Sequence, residues 1–530
     1  MFSFNHHFYK MYKRILLKKN LSGGFSSQKQ TAKVFMQNWK SVVGLEVHAQ
    51  LLTDSKLFSG SNNSFGTPLN SAVSYFDASL PGTLPVLNRK CVELGLKTAI
   101  ALNCRINEIS MFDRKHYFYA DLPVGYQITQ QRAALANDGE LTFPVIVPGK
   151  KTYHKKARLL QLQLEQDSGK SLHDEELKRS LVDLNRAGTP LIELVFAPEL
   201  ETGEEAASLV KELILILKCL QSCSCKMEEG ALRVDANVSI HRSGEPFGVR
   251  TEIKNIGSVR SISQAITYEI QRQLDIVSKG GVITNETRAW DAAERCTVAM
   301  RDKEVLQDYR FMPEPNLPPL RLNLTTTANS LNEDLISVAS ISKELPELPE
   351  DTRSNLMKKY QLNQDTAVIL VNETRLLQYF LNVIENLPDI PAKLVTNFLI
   401  NDLLTFCNKA NIDVESCQLT YTLLEDILTA LNAGTINLQA GRQLIEILHE
   451  DPTQNVQSVI KDRNLEQITD DETIEELCRQ ATERHEQAVK QYKSGKKKAI
   501  FAIVGEVSKL SKQRANMKVV VAYLEKMLKP

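Results

Sequence analysis

Carboxylates and an imidazole recur at alternating positions within runs that are otherwise apolar. Residues 42–52 read Val-Val-Gly-Leu-Glu-Val-His-Ala-Gln-Leu-Leu. An extended strand with that period puts Leu45, Val47, Ala49 and Leu51 on one side and Glu46, His48 and Gln50 on the other. A second alternation sets Leu160, Leu162 and Leu164 against Gln161, Gln163 and Glu165. Glu193 stands among the apolar residues 191–196. If that run is buried, the charge must be paired, metal-bound or functional, because burial without compensation is costly; a surface alternation is the other reading. Carboxylates grouped with a neutral imidazole hold a divalent cation or move a proton. Taken alone, residues 42–52 also fit a solvated strand face with an incidental histidine.

Cationic and polar residues gather in neighbouring segments. Arg114, Lys115 and His116 precede Tyr117 and Tyr119, a set that binds phosphate and stacks on a base, or else an aromatic core strand with charged flanks. Asp183, Asn185 and Arg186 form a polar corner that Gly188 and Pro190 turn. Arg233, Asp235 and Asn237 share a strand face, as do Glu252 and Lys254, and Arg301 and Arg310 follow in a charged stretch. A cavity lined by such residues suits an anionic substrate with a divalent metal. Gly169-Lys-Ser171 looks like the end of a phosphate-binding P-loop, but Leu164 occupies the position where that motif needs its first glycine, so a Walker site is rejected.

The elements that must hold these residues divide the chain in two. At 530 residues it exceeds one ordinary core. Up to about residue 320 it mixes strands, helices near 92–102 and 204–219, and loops punctuated by Gly and Pro, as in Leu80-Pro-Gly-Thr-Leu-Pro85. Beyond that, helical periodicity takes over, with helices expected at 351–359, 365–385, 392–409, 420–433, 438–448, 471–493, 497–509 and 517–528, and Asp365, Thr420 and Asp471 as N-caps. The fold class is therefore an α+β front half followed by an all-helical back half.

Lys and Arg together equal Asp and Glu at 64 each, so any nucleic-acid contact must come from local patches. The best apolar run, residues 499–504, is far too short to span a membrane. Residues 1–40 hold lysines and an arginine but no acid, which reads as a mitochondrial transit peptide, with a disordered basic tail as the alternative. Nine cysteines, without a secretory signal, indicate a reducing compartment. Cys219, Cys223 and Cys225 lack a second nearby pair and read as ordinary thiols at a helix end rather than a zinc site.

Several phrases occur together and in one order: Gly44-Leu-Glu-Val-His48, Leu80-Pro-Gly-Thr-Leu-Pro-Val-Leu-Asn88, Arg114-Lys-His-Tyr-Phe-Tyr119, Asp183-Leu-Asn-Arg-Ala-Gly-Thr-Pro-Leu-Ile-Glu193, Met227-Glu-Glu-Gly230, Arg233-Val-Asp-Ala-Asn-Val-Ser239, Glu252-Ile-Lys-Asn255, Asp308-Tyr-Arg310 and Pro313-Glu-Pro315. With them the chain resembles the GatB/GatE family, the B subunits of glutamyl-tRNA(Gln) amidotransferases, in its mitochondrial form. The resemblance covers nearly everything after the transit segment. It implies a catalytic cradle domain over 41–325, a helical domain over 326–410 and a small helical tail of the YqeY type over 411–530.

It also implies an amidase (A) subunit and a small bridging (C) subunit as partners, Glu-tRNA(Gln) as substrate, ATP and Mg²⁺ as cofactors, and the mitochondrial matrix as location. In the family, His and Glu residues of the cradle hold the metal; carried across, they match His48, Glu165 and Glu193, with Glu46 beside them. Lys115, Lys254, Arg301 and Arg310 are expected to contact phosphate or carboxylate, on charge and placement within the motifs alone. In the tail the family pattern is eroded to Gly505-Glu-Val-Ser-Lys509 and Gln513-Arg-Ala-Asn-Met517, while Lys490, Lys493, Lys496, Lys497, Lys498, Lys509, Lys512, Arg514 and Lys518 make it basic and fit for tRNA phosphates. The rival readings are a tRNA-binding scaffold with a decayed active site and a stand-alone carboxylate–amine ligase, for which no glutaminase triad is evident.

Overall fold

The computed structural model describes residues 38–147, 149–300, 308–324 and 335–528; Arg301 and residues 1–37 of the segment read as a transit peptide lie outside them, whereas Trp39 and Lys40, placed in that segment by the sequence, already belong to the first strand. The chain separates into two compact units, one ending at Thr352 and one running from Arg353.

The first unit contains β1 (Trp39–Gln50), β2 (Arg105–Ile106), β3 (Ile109–His116), β4 (Tyr126–Ala133), β5 (Ala136–Val145), β6 (Tyr153–Gln166), β7 (Lys170–Asp174), β8 (Arg179–Asp183), β9 (Pro190–Phe196), β10 (Leu232–Arg242), β11 (Thr251–Lys254), β12 (Glu286–Asp291), β13 (Cys296–Ala299), β14 (Met312–Pro313), β15 (Leu320–Asn323) and β16 (Ile336–Ser337). Nine of them form one sheet in the order β13-β12-β11-β10-β1-β9-β6-β5-β2. Its alternation divides apolar from polar as expected for β1: Leu45, Val47, Ala49 and Leu51 are fully buried. They share one core with Leu162, Leu164, Ile192, Leu194, Val234 and Ala236, and with residues of helices α1 (Arg89–Ala101), α2 (Gly203–Cys219) and α3 (Val259–Ser278). The sheet is thus greasy on its helix side and polar on the other.

One expectation for β6 fails. Leu160 is 43% exposed rather than aligned with Leu162 and Leu164. The pairing register of β6 with β9 shifts between Leu159 and Gln161, and a bulge there puts the following side chains out of step with those before it. The α3 helix is also absent from the sequence reading. Its buried positions Ile262, Ala265, Ile266, Glu269 and Gln273 follow helical spacing, and the Ser258 side chain caps it by accepting from the Ser261 amide.

A smaller sheet, built on β3 with β4, β14, β15 and β16, covers part of the polar face. Strand β4 is tied to β6: the Gln127 amide donates to the Gln166 carbonyl at 2.7 Å, and Leu164 N donates to the Gln130 side chain at 3.0 Å. This covering wall lets β3 present Lys115 towards the acids of the large sheet.

The long connection between β1 and α1 is fixed by a buried ion pair. Lys56 Nζ lies 3.1 Å from Asp77, which also accepts from Ser59 Oγ and, at 2.9 Å, from the Ser74 amide. Gly188 (φ +83) closes over this pair, and a Cβ there would fall 2.6 Å from Asp77 Oδ1. Asp77→Ala would strand a buried ammonium and is expected to cost about 3–5 kcal/mol, read as a lower denaturation midpoint. The double change Lys56→Met with Asp77→Leu should recover most of it. A single-variant loss below about 1 kcal/mol would show that the pair does not hold the loop.

The second unit is helical. Asn363, Thr420 and Asp470 are N-caps, each accepting from a backbone amide; Thr420 is as expected, whereas Asp365 and Asp471 sit in the first turns. The stretch 365–385 is two helices, Gln364–Asn372 and Thr374–Asn386, because Glu373 between them is extended. His485 likewise separates Asp471–Arg484 from Glu486–Lys493. One apolar core draws on Leu356 through Leu465, taking residues from both sides of position 410, and a separate core runs from Ile474 to Leu528.

Candidate active site

Strand register builds the site. Across β10, β1, β9 and β6, Arg233 pairs with His48, His48 with Glu193 and Glu193 with Gln163. Directly paired residues in neighbouring strands project from the same face, so these four side chains form a row. Glu165 lies two residues beyond Gln163 on that face. His48 Nε2 is 3.8 Å from Glu165 Oε1 and 3.8 Å from Glu193 Oε1. One ligand atom from each of the three residues lies within 4.8 Å of the others.

The electrostatics follow from burial and from the cations around the row. Burial, with the charges of Arg233, Lys115 and Lys254, drives the His48 pKa down to about 3, so the imidazole is neutral and keeps a lone pair for a metal. Burial and the nearby Glu165 carboxylate raise Glu193. Lys115 is half-buried, which opposes its charge, yet Glu165 and Glu193 outweigh that and raise its pKa; its ammonium sits 5.0 Å from the Tyr309 ring centre.

Of the other residues singled out by sequence, Glu46 faces the same cleft. Its Oε1 accepts from Asn237 Nδ2 at 3.0 Å, and burial and Glu252 raise its pKa. Lys254 pairs with Asp235 at 3.2 Å and Glu252 at 3.3 Å. Arg310 does not reach the cluster: its exposed guanidinium pairs with Asp308 at 3.7 Å, and its carbonyl accepts from His116 Nδ1 at 2.9 Å. Arg114 is likewise spent on structure, held by Glu314 at 2.6 Å. Cys223 and Cys225 are buried free thiols, and Cys219 donates to the Glu347 carbonyl at 3.4 Å.

Gln163 and Asp167 were not expected as participants, whereas Arg233 takes the cleft-lining place that its strand face implied. Arg233 is oriented by Asp167 at 3.1 Å, and Asp167 also pairs with Arg186 at 3.4 Å. Gln163 donates to Glu193 Oε2. The only signal for Gln163 was its place in an alternation; Asp167 had none.

A divalent cation suits this donor set. Glu165 Oε2 is buried with no hydrogen-bond partner among the described residues, an arrangement that is costly unless something else satisfies the oxygen. Two carboxylates and a neutral imidazole supply the hard oxygen and nitrogen donors that Mg²⁺ or Mn²⁺ accepts.

The family model described as the GatB/GatE catalytic domain matches residues 41–328, and the one described as the GatB domain matches residues 378–528. The chain belongs to the GatB/GatE family. It is 70% identical over 499 residues to the B subunit of the mitochondrial glutamyl-tRNA(Gln) amidotransferase of Drosophila melanogaster, covering 94% of this chain and 96% of that one. It is 47% identical over 495 residues to the Homo sapiens protein of the same description, covering 92% and 88%. The B subunit of an aspartyl/glutamyl-tRNA(Asn/Gln) amidotransferase of Rickettsia typhi is 39% identical over 490 residues, covering 92% and 98%. His48, Glu165, Glu193 and the cations around them all fall inside the part matched by the GatB/GatE catalytic model.

Proposed function

We propose that this chain is the subunit of a glutamyl-tRNA(Gln) amidotransferase that activates the glutamate carried by misacylated tRNA(Gln) and converts it to glutamine in the mitochondrial matrix. The observation that carries this reading is the convergence of His48, Glu165 and Glu193 under Lys115 and Arg233. A side-chain carboxylate cannot be amidated directly, because oxide would have to leave; transfer of a phosphoryl group from ATP makes phosphate the leaving group, and ammonia from glutamine then displaces it. Phosphoryl transfer needs charge neutralisation and alignment more than covalent help.

His48, Glu165 and Glu193 would hold Mg²⁺, which when bound offsets charge on the nucleotide's phosphates. Lys115 stands across from these acids and meets the oxygens that become more negative as the phosphoryl group moves. Arg233, braced by Asp167, points a second cation along the same row. The neutral His48 adds no positive charge of its own and takes no proton near neutral pH. Glu46 lines the cleft beyond the cluster, where Asp235 and Glu252 keep Lys254 in place.

The partners are an amidase (A) subunit, a small bridging (C) subunit and tRNA. Exposed Lys490, Lys493, Lys496, Lys497 and Lys498 offer the tRNA phosphates a basic surface. A protein subunit is better matched to the connection between β1 and α1. Residues 57–88 carry one charged side chain, Asp77, and it is buried, while Phe65, Leu69, Tyr75, Leu84 and Val86 are each at least 62% exposed. A charge-poor apolar surface is the composition of an interface core. Leu69→Glu with Leu84→Glu should weaken copurification of the amidase subunit at least tenfold, at unchanged tRNA affinity; undiminished assembly would remove that surface from the interface.

Glu-tRNA(Gln)-dependent ATP turnover by the assembled complex tests the activity. His48→Ala should abolish it while tRNA affinity stays within about twofold. Full activity in that variant would refute the site. A non-catalytic tRNA scaffold, the second reading, predicts no such turnover in the native complex; the intact acid–imidazole cluster favours catalysis.

A further inference from the structure

We propose that Gln163 is a positioning residue that selects which oxygen of Glu193 faces the cation, and that Thr129 holds Gln163 in place. This rests on the reading of His48, Glu165 and Glu193 as a cation site. Gln163 is 5% exposed and directly paired with Glu193 across β6 and β9. Its amide nitrogen donates to Glu193 Oε2, and at 3.1 Å to Thr129 Oγ1. Its amide oxygen accepts from the Gln161 amide, which also donates to the Gln130 carbonyl at 3.0 Å. All of the polar atoms of Gln163 are therefore engaged, and a flipped amide would turn its oxygen onto a carboxylate.

The consequence falls on Glu193. With Oε2 held by Gln163, Oε1 is the oxygen directed at His48, at 3.8 Å. The carboxylate is fixed in rotation and offers a single oxygen to a cation. Glu165 differs: its Oε2 has no hydrogen-bond partner among the described residues. One acid of the site is thus preset by the fold and the other is left for the ligand to organise. Partners of this outer kind orient ligating side chains, and their loss typically weakens metal binding about 10–100-fold.

The test uses Mn²⁺ as probe, titrated by electron paramagnetic resonance into the full-length chain in its assembled complex without nucleotide. Gln163→Leu removes both donors at similar volume and should weaken Mn²⁺ binding at least tenfold. Its Glu-tRNA(Gln)-dependent turnover should recover at high Mg²⁺, with the Mg²⁺ requirement raised and the saturated rate near native. Thr129→Val, nearly isosteric, should weaken Mn²⁺ binding a few-fold in the same direction. His48→Ala separates this proposal from the reading beneath it. If native protein binds Mn²⁺, His48→Ala does not, and both Gln163→Leu and Thr129→Val bind within twofold of native, the cation site stands and the positioning role falls. A turnover loss in Gln163→Leu that excess Mg²⁺ cannot restore would also overturn it. If Gln163→Leu does not fold, an unchanged Mn²⁺ affinity in Thr129→Val decides against it. Native protein that binds no Mn²⁺ at this site would remove the reading itself.

Discussion

Glu165→Gln should lower Glu-tRNA(Gln)-dependent ATP turnover by roughly 10²–10³-fold, with tRNA affinity unchanged. The residue is nearly isosteric, so shape is preserved and charge is what goes. Two effects add. The amide removes one anionic donor from the set of His48, Glu165 and Glu193, whose ligand atoms lie within 4.8 Å of one another. It also turns an N–H₂ group into the space where Glu165 Oε2 has no hydrogen-bond partner among the described residues. Loss of Glu165 relieves the repulsion that helps to raise Glu193, so the metal-free variant should melt no lower than the native chain. A functional acid held against its neighbours at some cost in stability is expected at an active site. Turnover within about threefold of native would mean that Glu165 is a buried structural acid and that the chemistry lies elsewhere.

Lys115→Met should cost about 10²-fold in turnover, with an opposite sign on metal binding. The Lys115 ammonium is attracted by Glu165 and Glu193, so it competes electrostatically with any cation placed between those acids. Removing it should leave Mn²⁺ affinity equal or higher while turnover collapses, because the phosphoryl oxygens lose their nearest fixed positive charge. Lys115→Arg should restore only part of the rate, since a planar fork does not replace a compact ammonium seated beside the Tyr309 ring at 5.0 Å. Parallel loss of Mn²⁺ binding and turnover in Lys115→Met would assign the residue to the architecture of the acid cluster instead of to the phosphate.

Local patterning made much of this site legible, and long-range register accounts for the rest. The two faces of β1 could be read from residues 42–52 because an antiparallel strand buried on one side must alternate. That His48 meets Glu193 could not be read that way, since their partnership is set by the pairing of β1 with β9; the family resemblance supplied it. Leu160 was misassigned because a bulge leaves no mark in an apolar–polar pattern. The helix α3 was passed over although Ser258 caps it, for its β-branched residues do not advertise a helix. Arg310 looked suited to the site by charge, yet its backbone turns at φ 43 and its side chain pairs with Asp308. The breaks at Glu373 and His485 carry neither Gly nor Pro, which is why the helices there read as continuous.

His48, Glu165 and Glu193, far apart in sequence, are proposed to share one cation. A structure of the assembled complex with Mn²⁺ and a non-hydrolysable ATP analogue tests it most directly, using anomalous scattering to locate the metal. An anomalous peak is expected in contact with His48 Nε2 and with carboxylate oxygens of Glu165 and Glu193, at about 2.0–2.2 Å, with Lys115 turned to the phosphates. A nucleotide-bound metal elsewhere in the cradle, with those three side chains unliganded, would contradict it.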